Sequence, residues 1–167
     1  ASSLLTGPDA KTGSYFAAAF TPDLPVEAAA LGAPRGIFLV DASLSSNPER
    51  FNVWLTLLEA VLTNNRETLK EFAVLFFNVE TWWWDERFVR NAPDNGAALK
   101  RYGDTLSLEG ATDVGAALQA ATGGWAADPE LGPRDLFLLS DGAATWGEAD
   151  LYSLSVLLEG ETLFAYR

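Results

Sequence analysis

The chain has 167 residues, with 23 Asp and Glu against 11 Lys and Arg, so that its formal net charge is −12. It contains no His, Cys or Met. This excludes a Ser-His-Asp triad, a thiol nucleophile, a disulfide, and a zinc or haem site built on His or Cys. The acidic balance also argues against a nucleic-acid partner, because a basic surface is the usual footprint of one.

Three strands, a helix and an edge ribbon are predicted in the first half of the chain. Residues 14–20 read as a strand between turn signals, and the apolar run over 36–41, which ends in a carboxylate, is typical of a buried parallel strand. A helix follows with Ser46 or Asn47 as its cap and Pro48 in its first turn. Residues 72–78 form a further buried strand, and 81–90 an aromatic hairpin or edge ribbon.

The second half continues the alternation of helices and strands. Residues 93–102 predict a weak helix, and 112–122 a stronger one that ends at a Gly-Gly pair. A third apolar strand covers 135–140, a helix 149–158, and a last strand 162–166. No apolar run approaches the roughly 18 residues of a membrane span.

This alternation predicts an α/β fold with an open, mostly parallel, doubly wound sheet. We expect residues 1–35 to be a lead-in segment with one strand, 14–20, and residues 36–167 to be a single domain. Because the chain begins with Ala and contains no Met, we expect it to be a processed chain or an excised fragment.

Oxygen-bearing side chains lie where ligands bind in open α/β sheets, beyond the carboxyl ends of the strands. Asp41, Ser43 and Ser45 form a D-x-S-x-S pattern after the strand over 36–41. Thr112 comes at the start of a predicted helix, and Asp141 after the strand over 135–140. Two carboxylates and three hydroxyls suit a hard dication such as Mg²⁺ or Mn²⁺, with Ca²⁺ as an alternative.

At these residues the sequence resembles the von Willebrand factor A (vWA) family and its metal-ion-dependent adhesion site. Asp41, Ser43 and Ser45 match the family's first motif, Thr112 its second and Asp141 its third. The resemblance runs from about residue 36 to the end of the chain. Residues 13–22, 138–142 and 163–166 are most like the vWA domain of inter-alpha-trypsin-inhibitor-heavy-chain-like proteins, where it usually follows a VIT domain.

The resemblance implies a non-enzymatic adhesion module that captures an acidic side chain of a protein partner through the bound metal. It also implies neighbouring segments or domains in the parent chain, and a secreted or envelope-associated location. The Lys-poor composition adds a hint of a bacterial source.

The chain departs from the family pattern in two respects. Leu44 stands where the family often has Gly, and Ser46 where it often has Met. Family members also usually continue past the last strand with a helix, a strand and a final helix, so the domain is expected to be incomplete at its C-terminus and to expose an apolar face.

Each motif also has a purely structural interpretation. Ser43 and Ser45 could cap turns, Thr112 could cap its helix with Asp113 in the first turn, and Asp141 could belong to an ordinary turn. The run Trp82, Trp83 and Trp84 invites a ligand-binding interpretation, but core and edge packing is the preferred one. Trp125 and Trp146 could line a partner surface or pack internally.

Two other functions stay open on the sequence. One is a Mg²⁺-dependent phosphoryl-transfer hydrolase with Asp41 as nucleophile and Asp141 as metal ligand. Ser43 stands where its acid/base carboxylate would be needed, and no G-x-x-x-x-G-K-[ST] motif occurs. The other is a structural interaction module whose site holds no metal.

Overall fold

The computed structural model describes residues 2–9, 13–20 and 33–166. The chain divides into two compact units, Ala1–Ala30 and Leu31–Arg167. In the first unit, β1 (Ser2–Asp9) and β2 (Gly13–Phe20) pair antiparallel, with Ser2 opposite Phe20 and Asp9 opposite Gly13. The strand β2 covers the residues predicted as a strand, whereas β1 was not predicted. Its Gly-Pro pair is a turn signal in sequence, which conceals a strand from pattern reasoning.

The second unit is built on a mixed sheet with the strand order β5-β4-β3-β7-β8. The strands are β3 (Arg35–Asp41), β4 (Glu71–Phe77), β5 (Thr81–Trp83), β6 (Val89–Arg90), β7 (Arg134–Leu139) and β8 (Thr162–Tyr166). The strands β4, β3, β7 and β8 run parallel to one another. Their carboxyl ends therefore meet at one edge of the sheet.

Four helices connect these strands: α1 (Pro48–Asn64), α2 (Pro93–Gly103), α3 (Val114–Thr122) and α4 (Leu151–Val156). The side chain of Asn47 accepts a hydrogen bond from the Arg50 amide, which makes Asn47, and not Ser46, the cap of α1. The helix α4 is shorter than predicted at both ends. Its start is set by Asp150, whose side chain accepts from the Ser153 amide. None of the helices in the described residues is both long and apolar enough to cross a bilayer.

Two apolar clusters cover the two faces of the sheet, and β3 supplies both. Phe38 and Val40 pack on one face with the apolar sides of α1 and α2, while Ile37 and Leu39 pack on the other with α3. All four are essentially inaccessible to solvent. Successive side chains of β3 thus face opposite sides of the sheet, and helices cover both sides. This is the predicted doubly wound α/β architecture.

The prediction of an aromatic ribbon over 81–90 is correct in outline, but its strands pair differently from a hairpin. Strands β5 and β6 both pair antiparallel with β4 rather than with each other, β5 opposite Leu75–Phe77 and β6 opposite Glu71 and Phe72. Trp82 and Trp84 pack on the α1 face and Trp83 on the α3 face. The packing interpretation of the three tryptophans is therefore confirmed.

The far edge of the sheet is formed by β8, where apolar side chains reach solvent. Phe164 and Tyr166 are exposed, and so are Leu151, Tyr152 and Val156 on the preceding helix. The ring of Phe164 stacks on Phe137 but is still 43% exposed. The edge strand and the preceding helix therefore leave several apolar side chains open to solvent.

Candidate functional site

The predicted site residues gather at the edge where the parallel strands end. Asp41 is the last residue of β3, and its neighbour β7 ends at Leu139, directly before Ser140 and Asp141. The loop that leads into α3 reaches the same edge, since the Leu44 amide donates to the carbonyl of Gly110 at 3.1 Å. The loops after β3 and β7 therefore meet because these strands are adjacent in the sheet, and backbone hydrogen bonds bring the third loop to them.

The carboxylate of Asp41 is fully buried and held from two loops. Its Oδ1 accepts a hydrogen bond from the Ser43 amide at 2.9 Å, and its Oδ2 accepts one from the Ser140 hydroxyl at 2.7 Å. Burying a carboxylate is costly unless it is hydrogen-bonded. These bonds stabilise it, and they occupy two of the roughly four acceptor positions that a carboxylate offers. Acceptor capacity thus remains for a further ligand.

Three hydroxyl groups from two loops form a compact cluster beside Asp41. The Thr112 hydroxyl donates to Ser43 Oγ at 2.8 Å. Ser45 Oγ lies 3.0 Å from Ser43 Oγ and 3.3 Å from Thr112 Oγ1. Ser43 and Thr112 are fully buried, whereas Ser45 is exposed, so the cluster has one side open to solvent.

The position of Thr112 is fixed by its backbone. Its amide donates to Thr145 Oγ1 at 3.0 Å, and its carbonyl accepts from the Thr145 and Trp146 amides. The cap of α3 is Asp113, whose Oδ1 accepts from the Ala116 amide at 2.8 Å. The interpretation of Thr112 as the helix cap is therefore wrong. Its hydroxyl is directed to Ser43 and Ser45 instead, because the helix begins two residues later than predicted.

Asp141 is held differently from the other predicted ligands. Its Oδ1 accepts from the Ala143 amide at 3.0 Å, and its Oδ2 forms an ion pair with Arg50 Nη1 at 2.7 Å. Gly142, with φ of 73°, continues a tight turn there. Within residues 33–166, no hydrogen bond joins Asp141 to the hydroxyl cluster.

Four of the five predicted residues are thus linked in one hydrogen-bond network. The fifth, Asp141, directly follows Ser140, which belongs to the same network. Sequence reasoning missed Ser140 as a partner of Asp41, although it directly precedes Asp141 in the third motif. It also missed Arg50 and Thr145. No local pattern marks these two, because their partners lie 91 and 33 residues away.

The donor set fits a small hard cation in its chemistry. Two carboxylates and three hydroxyls are all oxygen ligands, which Mg²⁺ and Mn²⁺ prefer. In the part of the chain that the structure describes, no group of three or more Asp, Glu, His or Cys side chains could hold a metal. Any cation at this edge would therefore rely on the hydroxyls as well as on Asp41 and Asp141.

Apolar side chains on the same loops are exposed next to this cluster. Leu44, between the two serines, is 69% exposed, and Trp146, whose amide contacts Thr112, is 62% exposed. Trp125 instead packs its ring against Trp83 and Phe88 in the core. Trp125 is half-buried by these contacts, so Trp146 is the more exposed of the two loop tryptophans.

The sheet is open, its central strands are parallel, and helices cover both of its faces. These features define the doubly wound α/β class, in which ligands generally bind at the carboxyl edge. Comparison with solved structures narrows this class: the fold is that of a von Willebrand factor A domain. No protein-family model and no curated protein sequence matches the chain.

Three solved structures illustrate the similarity. The conserved hypothetical protein BatB from Bacteroides thetaiotaomicron matches 80% of this chain with 17% identity and a TM-score of 0.60. A von Willebrand factor type A protein from Catenulispora acidiphila matches 80% with 17% identity and a TM-score of 0.54. The pilus adhesin SpaC from Lactobacillus rhamnosus GG matches 68% with 18% identity and a TM-score of 0.56. The chain spans only 65%, 32% and 15% of these proteins, respectively.

Proposed function

We propose that this domain is a non-enzymatic protein-binding module that uses a Mg²⁺ or Mn²⁺ ion to capture a carboxylate of its partner. The ligands are Asp41, Ser43, Ser45, Thr112 and Asp141. The observation that carries the proposal is the hydroxyl cluster, in which oxygens from two loops lie 2.8–3.3 Å apart beside the buried Asp41 carboxylate. When bound, the ion supplies an electrophilic position that accepts an anionic oxygen.

The charge of the donor set supports this type of site. Two carboxylates balance the charge of a dication, and the hydroxyls add none. A site with so few carboxylates leaves the ion able to take a further anionic ligand. The exposed Leu44 and Trp146 next to the cluster would contact the apolar neighbours of a partner's acidic residue.

The similarity to known proteins supports the same reading at a coarser level. The vWA fold is a domain type generally involved in adhesion and protein interaction, and SpaC is itself described as a pilus adhesin. On this basis we propose a location at the cell exterior or the cell envelope. The sequence resemblance adds neighbouring domains such as a VIT domain to the proposal, and the Lys-poor composition adds a bacterial source.

The phosphoryl-transfer alternative is not favoured by the geometry. An acid/base carboxylate two residues after Asp41 is required for it, whereas the side chain there is the Ser43 hydroxyl, which accepts a hydrogen bond from Thr112. Turnover of an aryl phosphate with Mg²⁺, lost in Asp41→Asn, would favour the hydrolase instead.

Cation binding is tested by thermal unfolding in EDTA and with increasing MnCl₂ or MgCl₂. At a free cation concentration of 100 times Kd, binding stabilises the folded state by about 2.7 kcal/mol, which corresponds to a rise in Tm of roughly 5–10 °C. Asp41→Asn, which keeps the size of the side chain, and Ser45→Ala, at an exposed position, should both reduce this rise strongly.

Asp94→Ala is the matched control, because Asp94 is an exposed carboxylate in the first turn of α2. This helix begins after β6, which pairs with the start of β4, at the edge of the sheet opposite the cluster. It should keep the full cation-dependent rise. A wild-type protein with the same Tm in EDTA and in excess Mn²⁺ and Mg²⁺ would contradict the proposed function.

A further inference from the structure

An arginine from α1 forms an ion pair with one of the proposed metal ligands. Arg50 Nη1 lies 2.7 Å from Asp141 Oδ2, and the two residues are 91 positions apart. The Asp141 side chain is only 12% exposed, whereas that of Arg50 is 42% exposed. Among the ion pairs in residues 33–166, this is the one that includes a proposed ligand.

The location of Arg50 is not explained by the stability of its helix. It lies in the first turn of α1, where the amide of Arg50 donates to the Asn47 cap. The N-terminus of a helix carries partial positive charge, so a cationic side chain is unfavourable there. The Asp141 carboxylate offsets this repulsion in the structure. The charge of Arg50 is therefore favourable for the contact with Asp141 and unfavourable for the helix.

The same carboxylate cannot serve both cations equally well. Asp141 Oδ1 accepts the Ala143 amide, and Oδ2 accepts from the guanidinium. Acceptor positions remain on both oxygens, but a cation that binds there shares the carboxylate with Arg50. A dication that binds Asp141 either displaces Arg50 or lies within a few ångströms of its positive charge. Both outcomes lower the affinity for the ion, by repulsion or by loss of the ion pair.

We infer that Arg50 competes with the divalent cation for Asp141 and so weakens cation binding at the site. This inference rests on the proposed function. With Asp41 and Asp141 at −1 each and Arg50 at +1, the site carries a net charge of −1 before the ion binds and +1 afterwards. The loaded site thus keeps a positive charge that an anionic partner neutralises, and the bare ion is held loosely.

Titration calorimetry with MnCl₂ tests this competition. Arg50→Gln should bind Mn²⁺ about 10-fold more tightly than the wild type, because one positive charge near the ion is removed. Arg50→Lys keeps the charge and should stay close to the wild-type Kd. Arg87→Gln is the matched control, since Arg87 is an exposed arginine paired with Asp85 on the β5–β6 connection, and it should leave Kd unchanged.

The outcomes separate this inference from the proposed function. If the wild type binds Mn²⁺ and Arg50→Gln binds it equally or more weakly, Arg50 is not a competitor, and the metal site stands without it. If neither protein binds Mn²⁺, both proposals fail together. Circular dichroism confirms folding of each variant, and Arg50→Met, which keeps the aliphatic stem, replaces Arg50→Gln if the latter does not fold.

Discussion

At the scale of single residues, the site depends on a few side chains that connect loops. The hydroxyl of Ser140 donates to the buried Asp41, and thereby joins the end of β7 to the end of β3. A hydrogen bond to a buried charged group contributes more to stability than one between neutral groups. Ser140 is therefore expected to contribute to stability without being a proposed metal ligand itself.

Replacing Ser140 by Ala should reduce the free energy of unfolding by about 1–3 kcal/mol, because Asp41 Oδ2 loses its donor in a buried environment. The measurement is urea unfolding in EDTA. Ser155→Ala is the control: Ser155 is exposed, its hydroxyl contacts only the carbonyl of Tyr152, and its loss should cost less than about 0.5 kcal/mol. Equal losses for the two variants would contradict the role of Ser140.

At the scale of elements, two adjacent residues at the start of α3 have different roles, one in the helix and one in the proposed site. Asp113 caps the helix, and Thr112 directs its hydroxyl to the serines of the first loop. Two neighbouring positions thus serve two different purposes. The division follows from the backbone, because only the residue directly before the helix has its side chain placed to accept the Ala116 amide.

Asp113→Ala should lower the free energy of unfolding by about 1 kcal/mol, as expected for loss of a cap, while the cation-dependent rise in Tm persists. Thr112→Val, which keeps the shape of the side chain, should abolish that rise. Both quantities come from thermal unfolding with and without MnCl₂. A cation response that disappears in Asp113→Ala and survives in Thr112→Val would reverse the assignment of the two residues.

At the scale of the whole domain, stability is concentrated in the centre of the sheet. Phe38 and Phe164 both stack on Phe137, at ring-centroid distances of 4.7 and 5.3 Å. Phe38 is 1% exposed on the central strand, whereas Phe164 is 43% exposed on the edge strand. The contact of Phe137 with Phe38 is therefore buried in the core, whereas its contact with Phe164 is open to solvent.

Phe38→Ala should cost about 3–5 kcal/mol, because it leaves a cavity between the sheet and α1. Phe164→Ala removes the same atoms from a half-exposed position and should cost less than half as much. Urea midpoints of the two variants give the comparison. Equal destabilisation would mean that the β8 edge is as well covered as the centre.

Much of the second unit could be predicted because its signals are local. The apolar run over 36–41 predicted β3, the Asn-Pro pair at 47–48 the start of α1, and the spacing of Val114, Ala117, Leu118 and Ala121 the buried face of α3. The strand β1 was missed because its residues lack strand alternation, and its pairing with β2 is a property of two backbones rather than of one segment.

The sequence by itself determined the kinds of element and the supply of oxygen donors, since periodicity, turn residues and composition are properties of neighbouring positions. Tertiary structure decided which of these groups meet. The order of the sheet places β3 beside β7, and only this adjacency joins Ser140 to Asp41 and Arg50 to Asp141. Such pairs depend on strand order and on the exact start of a helix, and neither can be read from the few residues around a motif.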